Sequence, residues 1–350
     1  MKIISRKYFV GSILLVLISF FCISCDENTD PDPGTIVKEN EAKKVMTQLW
    51  STSSLNFEIK REGAFNKIQS YADKCSADYF KTYLKSTDAQ CENLEKYDPV
   101  LFAYRAAFDK VLEEVRSTQV KQGTTVIWML YNMGYVIKTP TSCFGVDINH
   151  RWAVKLAPYL DFMCITHSHS DHYDTPLINE MFSMNKPVLS NYLRKGQNYQ
   201  YTTTNSATFK IGTVGIFTNM NDHNSTLKNF VTTYQFNCGE EGGNLVIMHI
   251  GDSNFTPSQY NIKESVDIFI PRYAPNSTVN SIIENNIIGQ KVKPKYVLLS
   301  HILELAHEGV EESRWSIQLG LERASKLDCE NSLLPFWGEK LIWENGKLNF

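Results

Sequence analysis

Beyond its first 25 residues the sequence has no C-x-x-C pair, which argues against a zinc site built on paired thiolates. It has no excess of positive charge either. The formal net charge is −3, and the three cations Lys2, Arg6 and Lys7 stand in the leader, so the remainder carries 32 basic against 38 acidic side chains. That balance gives no electrostatic reason to expect nucleic acid as a partner. Internal repeats and low-complexity tracts are also missing, which leaves a globular chain. With 350 residues and 43% apolar composition, it is long enough for one large domain or two modest ones.

What is present begins with "MKIISRKYFVGSILLVLISFFCISC", a basic head followed by an apolar run from about Tyr8 to Ile23. This reads as a secretory signal over residues 1–24 rather than a fold element. It resembles a bacterial lipoprotein signal, with Ser24 before Cys25, and the resemblance implies lipidation at Cys25 and a membrane-anchored, exported protein. A plain cleaved signal and a short membrane span are the alternatives, the latter only marginally supported by length. Residues 25–36, acidic and rich in proline and glycine, read as a solvated tether.

An exported chain can oxidise its cysteines. Cys75 and Cys91, 16 positions apart in a helical stretch, could staple two helices. Cys143, Cys164 and Cys238 lie in or beside apolar strand-like runs and read as buried thiols.

Residues 37–120 show helical periodicity and are expected to form an accessory or cap region. In "YDPVLFAYRAAFDKVLEEVRS", Asp98 is placed as an N-cap and Pro99 as the first helical residue. Leu101, Tyr104, Phe108, Val111, Leu112 and Val115 fall on one face. The period changes at Thr124, and residues 121–350 read as strand blocks separated by helix-like intervals at about 175–184, 279–290 and 310–327. Such an order predicts sheets packed face to face with helices outside, and a tight hairpin at Asn345-Gly346 closes the chain.

Three of the eight histidines fall within "ITHSHSDHYD", residues 165–174. A strand running to Thr166 would release His167 and His169 from its end, on one side because side chains alternate in extended chain. Asp171 and His172 follow at once. Imidazole nitrogens and carboxylate oxygens form a ligand set that zinc accepts, whereas a metal-free loop gains nothing from crowding them. Two metal ions need further donors, and His223, Asp252 and His301 each stand just past another strand-like run, where strand ends can converge.

H-x-H-x-D-H followed by a His, an Asp and a His, each after a strand, resembles the metallo-β-lactamase superfamily over about residues 124–350. The resemblance implies an α/β (α+β) fold, an αββα sandwich, here preceded by the helical region. It also implies two Zn2+ ions or another divalent metal. His167, His169 and His223 would hold one; Asp171, His172 and His301 the other; Asp252 would bridge them. Asp147 in "CFGVDI" matches the family's supporting aspartate, which is not itself a ligand. "TVIWMLYNMGYVIKT" and "IMHIGDS" look most similar to the branch with the ascorbate-phosphate lactonases and the phospholipase-D-like N-acylethanolamine enzymes. The commonest class of true β-lactamases has Cys or lacks the bridging carboxylate at the position of Asp252. Di-iron relatives carry Glu at the position of His169. Zinc hydrolysis is therefore favoured over antibiotic cleavage and over redox chemistry.

The expected activity is attack of a metal-bridging hydroxide on an ester, lactone or phosphodiester of a small or lipid-derived molecule, with Asp171 orienting the attacking water. Among the other candidates, His249 is placed as a supporting or substrate-contacting residue and His150 at the surface or behind the ligands. Arg272 and Tyr273 are expected to reach an anionic group, and His307 to line the pocket mouth with Glu304. A non-catalytic metal-containing sensor lipoprotein is the rival reading, and a β-lactamase the lesser one.

Overall fold

In the computed structural model the described residues are 33–55, 58–194, 196–283, 292–308 and 314–350. The expected signal and the lipidation position Cys25 lie outside them.

Among the described residues five helices come first: α1 (Pro33–Trp50), α2 (Ile59–Ala72), α3 (Ala77–Lys85), α4 (Asp88–Tyr97) and α5 (Pro99–Ser117). Helix α1 starts inside the expected tether, at a proline whose fixed φ suits a first helical position. Asp98 caps α5 by accepting from Val100 N, and the apolar stripe read from the sequence is buried apart from Leu112, which is half-buried. No described helix is long and apolar enough to cross a membrane.

The strands then form two sheets of seven. The first runs β14 (Lys347–Asn349), β13 (Lys340–Glu344), β1 (Thr124–Tyr131), β2 (Gly134–Lys138), β3 (Cys143–Val146), β4 (Phe162–Cys164) and β5 (Val188–Leu189). The second runs β12 (Ser332–Leu333), β11 (Tyr296–Leu298), β10 (Ile268–Ile270), β9 (Val246–His249), β8 (Val231–Asn237), β7 (Val214–Asn221) and β6 (Ala207–Ile211). Between them the stacked pair Phe144–Phe162 meets Phe236, with ring centroids 4.7 and 5.0 Å apart. Every residue of β1 is buried, because the second sheet covers one face and the N-terminal helices the other. This is the layered αββα architecture, completed by α6 (Thr175–Ser183), α7 (Asn276–Asn280) and α8 (Ile317–Ala324).

The helical region shares one hydrophobic core with the sandwich, so it is an outer layer and not a separately cored unit. Trp128 Nε1 donates to Glu114 Oε2, fixing β1 to α5 at 2.8 Å. Arg61 of α2 forms a buried ion pair with Glu339 and donates to Leu334 O at 3.0 Å. His150, expected at the surface or behind the ligands, is instead buried between the rings of Tyr104 and Phe108, at 3.8 and 4.5 Å. Burial holds its pKa well below the ordinary value, so it packs as a neutral ring.

Cys75 and Cys91 are both free thiols, so the expected staple is not formed. Cys143, Cys164 and Cys238 are buried thiols, as their apolar surroundings predict. Helix α7 is far shorter than the 279–290 interval suggested, and residues 284–291 lie outside the described part.

Candidate metal centre

Strand direction explains why distant residues meet. Strands β3, β4 and β5 are parallel, as are β9 to β12, and antiparallel β8 places the end of β7 beside the end of β9. The chain therefore leaves β4, β7, β9 and β11 at one edge, and these exits carry His167 to His172, His223, Asp252 and His301. Strand β4 ends at Cys164, two residues before the expected Thr166, although Ile165 N still reaches Leu189 O at 2.9 Å.

The seven side chains fall into two groups whose donor atoms lie within 4.8 Å of one another: His167, His169, His223 and Asp252, and then Asp171, His172 and His301. Asp252 touches both groups. Its Oδ1 lies 3.6 Å from His172 Nε2, and its Oδ2 lies 3.6 Å from both His223 Nε2 and His301 Nε2. Asp171 Oδ2 lies 3.1 Å from His301 Nε2 and 3.4 Å from His172 Nε2.

Hydrogen bonds behind the donors set their tautomers. Asp147 Oδ2 accepts from His172 Nδ1 at 2.8 Å and from Thr166 Oγ1 at 2.7 Å, while its Oδ1 accepts from Thr166 N. Since the Thr166 hydroxyl gives its proton to Asp147, its oxygen accepts from His167 Nδ1 at 3.0 Å. Both imidazoles thus direct Nε2 toward the cluster, the atom whose lone pair a cation would take. His167 Nε2, His172 Nε2 and Asp252 Oδ1 are buried without a hydrogen-bond partner. Orphaned acceptors crowded at this spacing are costly unless a cation satisfies them, so the residues fit a metal ion.

The charges agree. Burial would raise the Asp171 carboxyl, but His172 and His301 hold it well below the usual carboxylate range. Asp252 behaves likewise beside His301 and His172. Burial and the neighbouring His172 push His167 well below its ordinary value, keeping a neutral ring.

Three supporting residues escaped the sequence reading. Asn132, at φ 53° in the β1–β2 turn, donates to Asp171 Oδ2 at 3.2 Å and accepts from His301 N through its carbonyl at 3.1 Å. Its only sequence signal is the Asn132-Met133-Gly134 interruption between two strand-like runs in "TVIWMLYNMGYVIKT". Thr166 looked like an ordinary strand residue. Phe230 packs against His167, His169 and His223 at 5.6, 5.1 and 6.1 Å, forming an apolar wall. Gly251 has a steric reason: at φ +50° a Cβ would stand 2.4 Å from Thr166 Oγ1.

The other candidates divide. His249 stands one step back from the donors, its Nδ1 accepting from Gly251 N at 3.3 Å and its Nε2 lying 2.9 Å from Met133 O. It holds the turn that carries Asp252. Tyr273 sits beside the donors, its ring 5.2 Å from His301 and 4.2 Å from Trp315. Arg272 donates to Tyr273 O at 3.1 Å and packs over Phe255 at 5.4 Å. His307 lies parallel to His301 at 6.2 Å, with Nδ1 3.5 Å from Glu304 Oε2. Glu304 is buried and takes the Tyr131 hydroxyl at 2.9 Å, so it stands behind the site and not at a mouth.

No protein-family model matches the chain, and no curated protein matches it in sequence. Solved structures resemble it in fold. A metallo hydrolase from the hyperthermophilic archaeon Ignicoccus hospitalis is 13% identical, covering 63% of this chain and 99% of its own, with TM-score 0.42. A diiron beta-hydroxylase from Streptomyces venezuelae is 12% identical over 65% of this chain and 55% of its own, TM-score 0.45. A candidate Zn-dependent hydrolase of the metallo-beta-lactamase superfamily from Thermotoga maritima is 12% identical over 57% of this chain and 84% of its own, TM-score 0.35.

Proposed function

We propose that this protein is a binuclear metal-dependent hydrolase, with zinc as the preferred metal, acting on an ester, lactone or phosphodiester. The observation that carries the reading is Asp252, one carboxylate shared between two groups of donors. His167, His169 and His223 would hold one ion and Asp171, His172 and His301 the other. When bound, the two cations acidify water and polarise a carbonyl or phosphoryl oxygen.

The chain's own groups do the rest. Asp171 is steadied by Asn132, and its carboxylate can accept a proton from the attacking water and aim it. Asp147 and Thr166 keep His172 and His167 in the tautomers that present Nε2. Phe230 walls off one side of the first group of histidines, lowering the local polarity. No side-chain nucleophile is needed.

We further propose that the enzyme is exported and anchored through Cys25, so that a small or lipid-derived substrate is met at a membrane surface. The test is metal analysis of purified residues 26–350 followed by turnover on chromogenic phosphodiesters, lactones, esters and nitrocefin, with His169→Ala as blank. Two metal equivalents with turnover absent in the blank is the expected result. Two equivalents with no turnover on any substrate would overturn the reading in favour of a sensor, and turnover of nitrocefin alone would make it a β-lactamase.

A further inference from the structure

A cavity of about 750 Å³ opens beside the donor loop, between α6 and the segment after β5. None of the seven donors lines it. Its wall begins one residue past His172, at Tyr173, whose ring lies 5.7 Å from that of Tyr192. The segment bearing Tyr192 is fixed to the metal centre by its neighbour Asn191, whose amide donates to Thr166 O at 3.2 Å and Phe230 O at 2.8 Å. Cavity and donor loop thus share one edge of the fold. The volume lies within the range of small-molecule sites, roughly 300–1,000 Å³.

The lining is chemically one-sided. Tyr173, Tyr192, Tyr201 and Phe182 supply aromatic surface, and Lys186 and Arg194 supply positive charge. No acidic side chain is among the described lining residues. Lys186 Nζ donates to Ala157 O and Pro158 O at 2.7 and 3.0 Å, and Arg194 Nη2 donates to Asn191 O at 3.2 Å. These are neutral carbonyls, which orient the cations without cancelling them.

We propose that this cavity is the subsite for the part of the substrate remote from the scissile bond, and that it takes a flat aromatic group bearing one anionic substituent. Tyrosine faces recognise the ring, and the Arg194 guanidinium recognises the anion. The proposal rests on the hydrolase reading for what lies at the other end of that substrate, but binding in the cavity requires none of the metal donors.

The test is calorimetric titration of the metal-loaded chain with 2-naphthalenesulfonate and with neutral 2-naphthol, repeated after chelation. The sulfonate should bind about tenfold more tightly than the naphthol, with or without metal, as expected of one charge-assisted contact. Arg194→Ala should abolish that preference, and Asn179→Trp at the rim should block both probes. The sulfonate should also compete with any ester that the enzyme turns over. The subsite is overturned by absence of saturable binding, by affinities unchanged in Arg194→Ala and Asn179→Trp, or by binding that leaves turnover unaffected. The two readings fail separately: turnover without probe binding removes the subsite alone, whereas probe binding without turnover of any ester, lactone or phosphodiester removes the hydrolase.

Discussion

Asp147 Oδ2 lies 2.8 Å from His172 Nδ1 and 2.7 Å from Thr166 Oγ1, so one buried carboxylate fixes the orientation of two imidazoles, the second through the threonine hydroxyl. Supporting contacts of this kind typically change metal affinity by about 10- to 100-fold. Asp147→Ala should therefore weaken metal binding by about that factor while leaving all seven donors in the sequence. Competition with a chromophoric chelator reads the affinity directly. An unchanged affinity would reduce Asp147 to a packing residue.

The turn carrying Asp252 depends on a close approach. Gly251 adopts φ +50°, and a Cβ there would stand 2.4 Å from Thr166 Oγ1. Gly251→Ala should combine left-handed strain of about 1–2 kcal/mol with overpacking of about 1–3 kcal/mol. Urea unfolding of the chelated protein should show a loss of about 2–5 kcal/mol, and metal affinity should fall because Thr166 supports His167. A neutral substitution would mean that the turn relaxes freely.

The donors were legible because each is chemically distinctive and ends an apolar run. Strand pairing turns that local pattern into a shared edge, as the parallel order of β9, β10 and β11 shows. Asn132 and Thr166 were not legible, since their roles come from backbone geometry: a left-handed turn at φ 53° and a hydroxyl between Asp147 and His167. His249 and His150 show the converse limit. A histidine beside a motif or outside it carries the same letter, and only packing shows that one braces a turn and the other fills a stack. Helix α1 was placed late because its first turn has the proline-rich composition of a tether.

His150 joins the helical layer to the loop after Asp147. Its ring is sandwiched by Tyr104 and Phe108, and Trp152 N lies 3.4 Å from its Nδ1. Removing a fully buried ring leaves a cavity and an unpaired amide, so His150→Ala should cost about 3–5 kcal/mol in denaturant unfolding. Metal stoichiometry of the folded fraction should stay the same. A loss of metal at full stability would mean that His150 acts on the site itself.

A pH effect is expected in the helical layer, well away from the donors. Burial raises the Glu95 carboxyl above its ordinary value, against the hydrogen bond from Tyr83 Oη at 2.7 Å and the charge of Arg105. A folded-state pKa above the unfolded one means that the folded chain binds the proton more tightly. The stability this contributes is full below the unfolded carboxylate range and is lost as pH rises through the folded value. Glu95→Gln keeps an acceptor for Tyr83 but cannot ionise. The stability difference, wild type minus variant, should therefore fall as pH rises from the acid range toward neutrality. A flat difference would show that Glu95 titrates as it does in the unfolded chain.

The shared carboxylate makes the sharpest demand on stoichiometry. His223 belongs to the group with His167 and His169, whereas His301 belongs to the group with Asp171 and His172. Deleting either histidine removes one donor from one group, so His223→Ala and His301→Ala should each retain about one metal equivalent of the two proposed. Asp252 contacts His172 and His301 from one group and His223 from the other. Asp252→Ala should therefore weaken both sites together, and it would also leave buried histidines facing one another without their anion. Elemental analysis after dialysis gives the counts, and thermal unfolding with and without added zinc shows whether the remaining ion still stabilises the fold. If His223→Ala and His301→Ala both kept two equivalents while Asp252→Ala lost none, the seven residues would be a polar cluster and not a metal centre.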